Sequence, residues 1–255
     1  MTSLPEAFRR VPLAHRGLHD VTGGRPENSR AGITAAIAWG YGIEIDLQLS
    51  RDGRAMVFHD YDLGRLTGDT GPVRQRDAAA LADLPLLGGK EGIPDLSEVL
   101  TLVDGRVPLL IELKDQHGQM GNTDGALENA TAEALTQYTG PVAVMSFNPH
   151  MVARMAILAP DIPRGLVTCG YTPDDWPLLR PETRNRLRDI PDFRATGADF
   201  VSHDIKDLDR PILRHLRADG AAILCWTVRS PEAEARARVH AHNITFEGYR
   251  PAIPA

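Results

Sequence analysis

Cysteine is almost absent: the 255 residues contain two, Cys169 and Cys225. Two cysteines make no disulfide framework and no thiolate metal cluster, and both sit in apolar runs where a buried thiol is expected. Basic charge is also short. The formal net charge of −6 argues against general nucleic-acid binding, which needs a basic face. It leaves room for a small anionic substrate at a site built from a bound cation and a few Arg or Lys. Residues 1–11 carry no apolar run of signal-peptide length, and no stretch reaches the roughly 18 apolar residues of a membrane span. The expectation is a cytoplasmic protein without stable membrane insertion. No low-complexity tract or domain linker interrupts the chain, so one domain over residues 1–255 is expected.

With 42% hydrophobic and 24% charged residues, the chain is globular in composition. It is long enough to bury a large core without a disulfide or structural metal. Its length suits a single α/β barrel, which takes about 250 residues. Short β-prone runs recur at residues 11–15, 42–49, 55–59, 107–114, 142–147, 164–168, 200–204 and 222–228. Helix-like patterns follow most of them, at residues 28–39, 95–103, 123–138, 149–158, 211–218 and 231–239, several opening on Pro or an Asx or Ser residue. Eight strands in mostly βα order predict a (β/α)₈ TIM barrel, with a doubly wound open sheet as the competing architecture. Only about five residues, including Asp52-Gly53, join the second run to the third, and residues 61–94, rich in Gly and Asp, look like an insertion over the barrel mouth.

Side chains alternate faces along a strand. In Ile43-Glu44-Ile45-Asp46-Leu47 both acids share one face. In Leu109-Leu110-Ile111-Glu112-Leu113-Lys114, Glu112 and Lys114 oppose the aliphatic set Leu109, Ile111 and Leu113. Helices cover the outside of a barrel, so the aliphatic sets face out and the charged sets face in. Inward charge is costly unless paired or metal-bound. Glu44, Asp46 and Glu112 are therefore candidate ligands, and an all-oxygen set favours Mg²⁺ or Ca²⁺ over zinc. A buried salt-bridge network with Lys114 and Arg16 is the competing reading.

Barrel chemistry sits at the C-terminal ends of strands. His15-Arg16-Gly17 ends the first run and His59-Asp60 the third. Imidazole exchanges protons near neutral pH, and a guanidinium grips phosphate through a planar fork of donors. Trp226 shares parity with Leu224 and Val228 and is expected to face inward near the open end, as a core residue or a pocket wall. His19 and His117 lie in loops near the mouth, His203 has no clear place by parity, and His150, His215, His240 and His242 read as surface or helix residues.

The ordered set His15-Arg16-Gly17, Pro26-Glu27-Asn28-Ser29, Gly42-Ile43-Glu44-Ile45-Asp46, Asp52-Gly53 and His59-Asp60 resembles the signature of the glycerophosphodiester phosphodiesterases. Ile93-Pro94-Asp95-Leu96, Glu112-Leu113-Lys114, Ser146-Phe147-Asn148 and Trp226-Thr227-Val228 are similar to its later landmarks. Each fragment is weak alone; the combination, spanning residue 11 to about 230, is specific. The resemblance implies a (β/α)₈ barrel, one divalent cation, and hydrolysis of a glycerophosphodiester to an alcohol and sn-glycerol 3-phosphate. It implies that His15 and His59 are the acid–base pair, that Glu44, Asp46 and Glu112 hold the metal, and that Arg16 and Lys114 hold the phosphate. Glu27 would orient a group at the site, and Trp226 would line the glycerol pocket. Two departures stand out. Ser29 replaces the family's usual Thr, and Asn243-Ile244-Thr245-Phe246-Glu247-Gly248 replaces its usual Gly-hydrophobic-hydrophobic-Thr-Asp-x-Pro ending.

Two other functions fit less well. A phospholipase C-like or lysophospholipase D-like barrel would share the histidines but need an apolar rim, for which residues 61–94 offer only Leu84-Pro85-Leu86-Leu87. A non-catalytic phosphoester-binding barrel would be expected to have lost a histidine or an acid, and none is missing.

Overall fold

A computed structural model of the chain describes residues 3–254. A short helix α1 (Ala7–Arg10) precedes β1 (Leu13–Ala14), α2 (Arg30–Trp39), β2 (Gly42–Leu49) and β3 (Ala55–Val57). Two short helices, α3 (Gly64–Thr67) and α4 (Ala78–Ala82), lead to α5 (Leu96–Val103) and β4 (Leu109–Leu113). Strict alternation then follows: α6 (Ala126–Leu135), β5 (Val142–Ser146), α7 (Pro149–Leu158), β6 (Arg164–Thr168), α8 (Pro181–Arg188), β7 (Phe200–Asp204), α9 (Pro211–Ala218), β8 (Ala222–Val228), α10 (Pro231–His240) and β9 (Asn243–Phe246). The sheet runs β1-β9-β8-β7-β6-β5-β4-β2-β3, and β1 also pairs with β2. Every pairing is parallel except β2–β3, so setting β3 aside leaves eight parallel strands closed into a TIM barrel. Closure excludes the open sheet.

The barrel's eight strands are not the eight expected. The run at 55–59 forms β3, which pairs antiparallel with β2 as a hairpin outside the barrel, Leu47 opposite Val57. The reason is the short link. Parallel neighbours need a crossover of about a dozen residues or more, whereas Gly53, at φ +81°, turns the chain straight back. The eighth barrel strand is β9, which carries the atypical ending and joins β8 to β1. Helix α8 was not anticipated either. Its sequence, PETRNRLR, buries only Leu187 and shows no apolar stripe. Helix α2 begins after Asn28, with the Ser29 hydroxyl accepting from Gly32 N at 3.0 Å; the Asn28 side chain is engaged elsewhere.

The parity argument holds through β2 and β4. Ile43, Ile45, Leu47, Leu109, Ile111 and Leu113 pack outward against the helices, alongside Ile33 of α2, Val99 of α5 and Leu127 of α6. A second, inner cluster contains Leu13, Leu110, Ala143, Met145, Val167, Phe200 and Leu224, with Leu4 and Phe8 packed against it. Phe200 fills the axis because residue 165 is Gly: a Cβ there would lie 2.3 Å from its ring. Asn243 ties α1 to the barrel by donating to the carbonyls of Phe8 (2.8 Å) and Val11 (2.6 Å). A third cluster, including Phe58, Leu63, Leu66, Val73, Leu81 and Ile93, gives the segment after β3 a core of its own. That core includes Met56 of β3, so the segment packs back onto the hairpin.

Candidate active site

Strands β2 and β4 pair in a register that sets Asp46 directly beside Glu112. With Glu44 one side-chain repeat below Asp46, three carboxylates project to the inner face, and one oxygen from each lies within 4.8 Å of the others. All three are buried. The Lys114 ammonium reaches Asp46 Oδ1 (2.7 Å) and Glu112 Oε1 (2.6 Å). Burial alone would lower the lysine's pKa, but the two adjacent carboxylates outweigh it and raise it. Glu44 has no such partner. Burial, then repulsion from Asp46 and Glu112, pushes its pKa well above the ordinary carboxylate value. The buried salt-bridge network therefore exists, but among the described residues no Lys or Arg side chain pairs with Glu44.

Arg16 closes the other side. Its backbone N–H donates to Glu44 (3.0 Å), its Nη1 to Glu27 (2.7 Å), and its Nε lies 3.4 Å from Asp46. The turn that aims it is tight: Arg16 has φ +55°, and Gly17, at φ +79°, passes so close to α2 that a Cβ would meet Gly32 at 3.0 Å. Each candidate imidazole is held at Nδ1 by a carboxylate, His15 by Glu247 (2.7 Å) and His59 by Asp60 (2.7 Å). Those acids are themselves anchored, Glu247 by Arg229 Nε (2.6 Å) and Asp60 by Arg65 Nε (2.6 Å). Burial lowers the His15 pKa, partly offset by the bond to Glu247. The hydrogen bonds from His15 and then His19 hold the Glu247 carboxyl far below its ordinary range. His59 arrives at the mouth by the β2–β3 hairpin, its carbonyl accepting from Gln48 Nε2 at 3.0 Å.

All nine residues singled out from the sequence lie in or directly against one cavity of about 170 Å³. His15, Arg16, Glu44, His59, Glu112, Lys114 and Trp226 line it; Asp46 lies beneath and Glu27 grips Arg16 from behind. Trp226 is half-buried, and its indole N–H donates to the Ser202 carbonyl at 3.1 Å. One parity detail is corrected. The register shifts between Cys225 and Val228, so Val228 joins the outer layer while Leu224 and Trp226 stay inside. His203 is a structural pin, buried between Thr168 Oγ1 (2.7 Å) and Asp207 Oδ1 (2.9 Å).

The sequence reading missed three contributors. Arg65 of α3 bridges Glu27 (2.8 Å) and Asp60 (2.6 Å), tying the segment after β3 to the site. Glu247 grips His15. Asn28 is fully buried, donates to Asp46 Oδ2 at 2.9 Å, and accepts from Asp46 N at 3.3 Å. Asn28 stood within a quoted motif but read as a helix cap; its φ of +56°, which Asn tolerates better than most residues, was the invisible part. Asn28→Gly keeps that backbone relaxed and removes only the amide. It is expected to weaken divalent-cation binding roughly 10–100-fold, measured by calorimetry; unchanged affinity would show that the amide does not position Asp46.

The glycerophosphoryl diester phosphodiesterase family model matches residues 15–244, which include every one of these groups except Glu247. The chain belongs to that family. It is accordingly an enzyme, a phosphoric diester hydrolase. A putative glycerophosphodiester phosphodiesterase of Bacillus subtilis, YhdW, is 29% identical over 234 residues, 88% of each chain. A glycerophosphodiester phosphodiesterase of Caldanaerobacter subterraneus is 30% identical over 179 residues, 66% of this chain and 71% of its own. The barrel superposes on an Oleispira antarctica phosphodiesterase, solved with the product sn-glycerol-3-phosphate, at a TM-score of 0.74 and 24% identity, covering 92% and 91% of the two chains. For a family member the carboxylate cluster has a ready use. Three buried oxygen donors within 4.8 Å of one another could hold a divalent metal ion. Among the described residues no helix is long and apolar enough to cross a membrane.

Proposed function

We propose that this chain hydrolyses glycerophosphodiesters to an alcohol and sn-glycerol 3-phosphate, using Mg²⁺ or Ca²⁺ held by Glu44, Asp46 and Glu112 and proton transfer by His15 and His59. The observation that carries this reading is convergence. Two carboxylate-backed imidazoles, one guanidinium, one ammonium and the acidic cluster face one cavity just large enough for a phosphoryl group and a short polyol. The product bound to the Oleispira protein supports the same substrate class. In this reading the whole chain is one phosphodiesterase unit, with residues 61–94 as an insertion over the mouth.

When bound, the cation would draw charge from a non-bridging phosphate oxygen. Lys114 donates to Glu112 and is ion-paired with Asp46 at 2.7 Å, with donor capacity left for phosphate. Arg16, clamped by Glu27, offers its remaining guanidinium donors, and both cations count most as charge builds on the phosphoryl oxygens. One imidazole takes the proton from the nucleophile and the other gives one to the leaving alkoxide. The nucleophile is either the adjacent glycerol hydroxyl, passing through a cyclic phosphate, or water; rapid-quench trapping of cyclic glycerophosphate distinguishes them. Trp226 lines the part of the cavity where the glycerol would lie. A coupled assay for glycerol 3-phosphate tests the reading: release from glycerophosphocholine is expected with Mg²⁺ or Ca²⁺ present, lost with EDTA and restored by added cation. No release under any condition would refute it.

Glu247 offers a finer test. It sets which face His15 turns to the cavity, so Glu247→Gln should lower kcat roughly 10–100-fold, a loss typical of removing an outer hydrogen-bond partner, with KM little changed. A variant with parental kcat would mean that His15 needs no orienting acid.

A further inference from the structure

A second cavity of about 550 Å³ opens beside the first. His59, Glu112, Lys114, Phe147 and Trp226 line both, so the two meet where the phosphorus would sit. His15 and Arg229 line only the first. A diester threaded through the junction would place its glycerol in the smaller cavity and its other substituent in the larger.

The wall of the larger cavity is aromatic and soft. Tyr61, Phe147, Trp176, Trp226 and Met120 contribute to it. Phe147 lies 5.0 Å from Trp176 and 5.6 Å from Trp226, centroid to centroid. The polar handles of these rings are spent elsewhere. Trp176 Nε1 donates to Cys169 Sγ (3.2 Å), Trp226 Nε1 to the Ser202 carbonyl (3.1 Å), and the Tyr61 hydroxyl to the Asp115 carbonyl. What remains for a ligand is ring surface. Two carboxylates of the lining lack a cation. Asp62 accepts only the backbone N–H groups of Gly64 (2.9 Å) and Gly71 (3.1 Å), and Asp115 the Asn148 amide (2.9 Å) and Met120 N (3.0 Å). Among the described residues neither forms an ion pair, whereas the other two acids of this wall are taken up, Asp60 by His59 and Arg65 and Glu112 by Lys114.

Aromatic faces together with uncompensated carboxylates are the chemistry that recognises an alkylammonium ion. An acyl chain would gain from the rings but would bury Asp62 and Asp115 against hydrocarbon; an anionic group would be repelled. We propose that this cavity is a leaving-group subsite selective for alcohols bearing an ammonium or quaternary ammonium on a short carbon chain, with Trp176 and Asp62 as its specificity-determining residues. The proposal rests on the phosphodiesterase reading above and deepens it.

Two measurements on the cation-loaded protein test it. The first compares kcat/KM for glycerophosphocholine with that for the diester of 3,3-dimethylbutanol, which has the shape of choline without its charge. The parent enzyme is expected to favour choline by about 10-fold, and Trp176→Leu and Asp62→Asn each to bring the ratio toward one. A parental ratio of one, a preference for the neutral diester, or variants that keep the parental ratio would overturn the subsite. The second measurement needs no turnover: saturation-transfer NMR with choline chloride should show contact with the parent protein and a weakened signal in Asp62→Asn, an exposed change that gives up one of the two loop hydrogen bonds and is read only with a melting temperature matching the parent's. Choline contact without hydrolysis of any diester would reject the phosphodiesterase reading and keep the cation site; hydrolysis without choline selectivity would do the reverse.

Discussion

Replacing His59 by alanine is expected to lower turnover of a glycerophosphodiester by on the order of 10²–10⁴-fold, and His15→Ala by a similar factor, with both proteins melting close to the parent. Stability is spared because neither change strands a buried charge. Asp60 keeps its bidentate contact with Arg65, and Glu247 keeps Arg229. The loss is chemical, since no other imidazole lines the cavity. A phosphodiester with a p-nitrophenol leaving group separates the two roles. That alcohol departs without a proton, so the variant lacking the proton donor regains much of its rate with it, and the variant lacking the base does not. Near-parental turnover in both alanine variants with an alkyl diester would remove the acid–base assignment.

Most of this site was legible because strand parity is a short-range rule. Alternation of Ile with Glu44 and Asp46, and of aliphatics with Glu112 and Lys114, fixes a face without knowledge of any partner. Strand-end positions made His15 and His59 candidates in the same way. The hairpin was misread as a barrel strand because β3 has the composition of one; only the length of the link to β2, too short for a crossover, told otherwise. The outer contacts were illegible for a different reason. His15 and Glu247 are separated by 232 positions, and nothing local marks Glu247 as the partner of an imidazole. Arg65 sits in a four-residue helix on the segment after β3, where its charge resembles that of any solvated surface residue until the fold carries it to Glu27 and Asp60. Trp176 likewise belongs to a loop whose meaning comes only from the rings it meets.

Glu44→Gln should change stability in opposite directions with and without cation. In the cation-free protein Glu44 is crowded by Asp46 and Glu112 in a buried setting, and its folded pKa stands well above the reference 4.5. A carboxyl raised in this way stabilises the fold while protonated. That contribution is complete below the unfolded value and is lost as pH rises through the higher folded pKa. Above the unfolded value the parent therefore bears a burial cost for this carboxyl, as a buried charge or a retained proton, that glutamine lacks, and Glu44→Gln should melt higher than the parent in EDTA, with a shallower decline as pH rises. A divalent cation reverses the preference, because it requires the ionised ligand. Calorimetry should show affinity reduced by at least roughly 10–100-fold in the variant. Cation at about 100 times its dissociation constant should stabilise the parent by about 2.7 kcal/mol and the variant far less, so the order of melting temperatures inverts. A variant that binds Mg²⁺ and Ca²⁺ as tightly as the parent removes Glu44 from the ligand set. A variant less stable than the parent in EDTA shows that Arg16 and Lys114 already balance the three acids, and with it goes the electrostatic case for a bound ion.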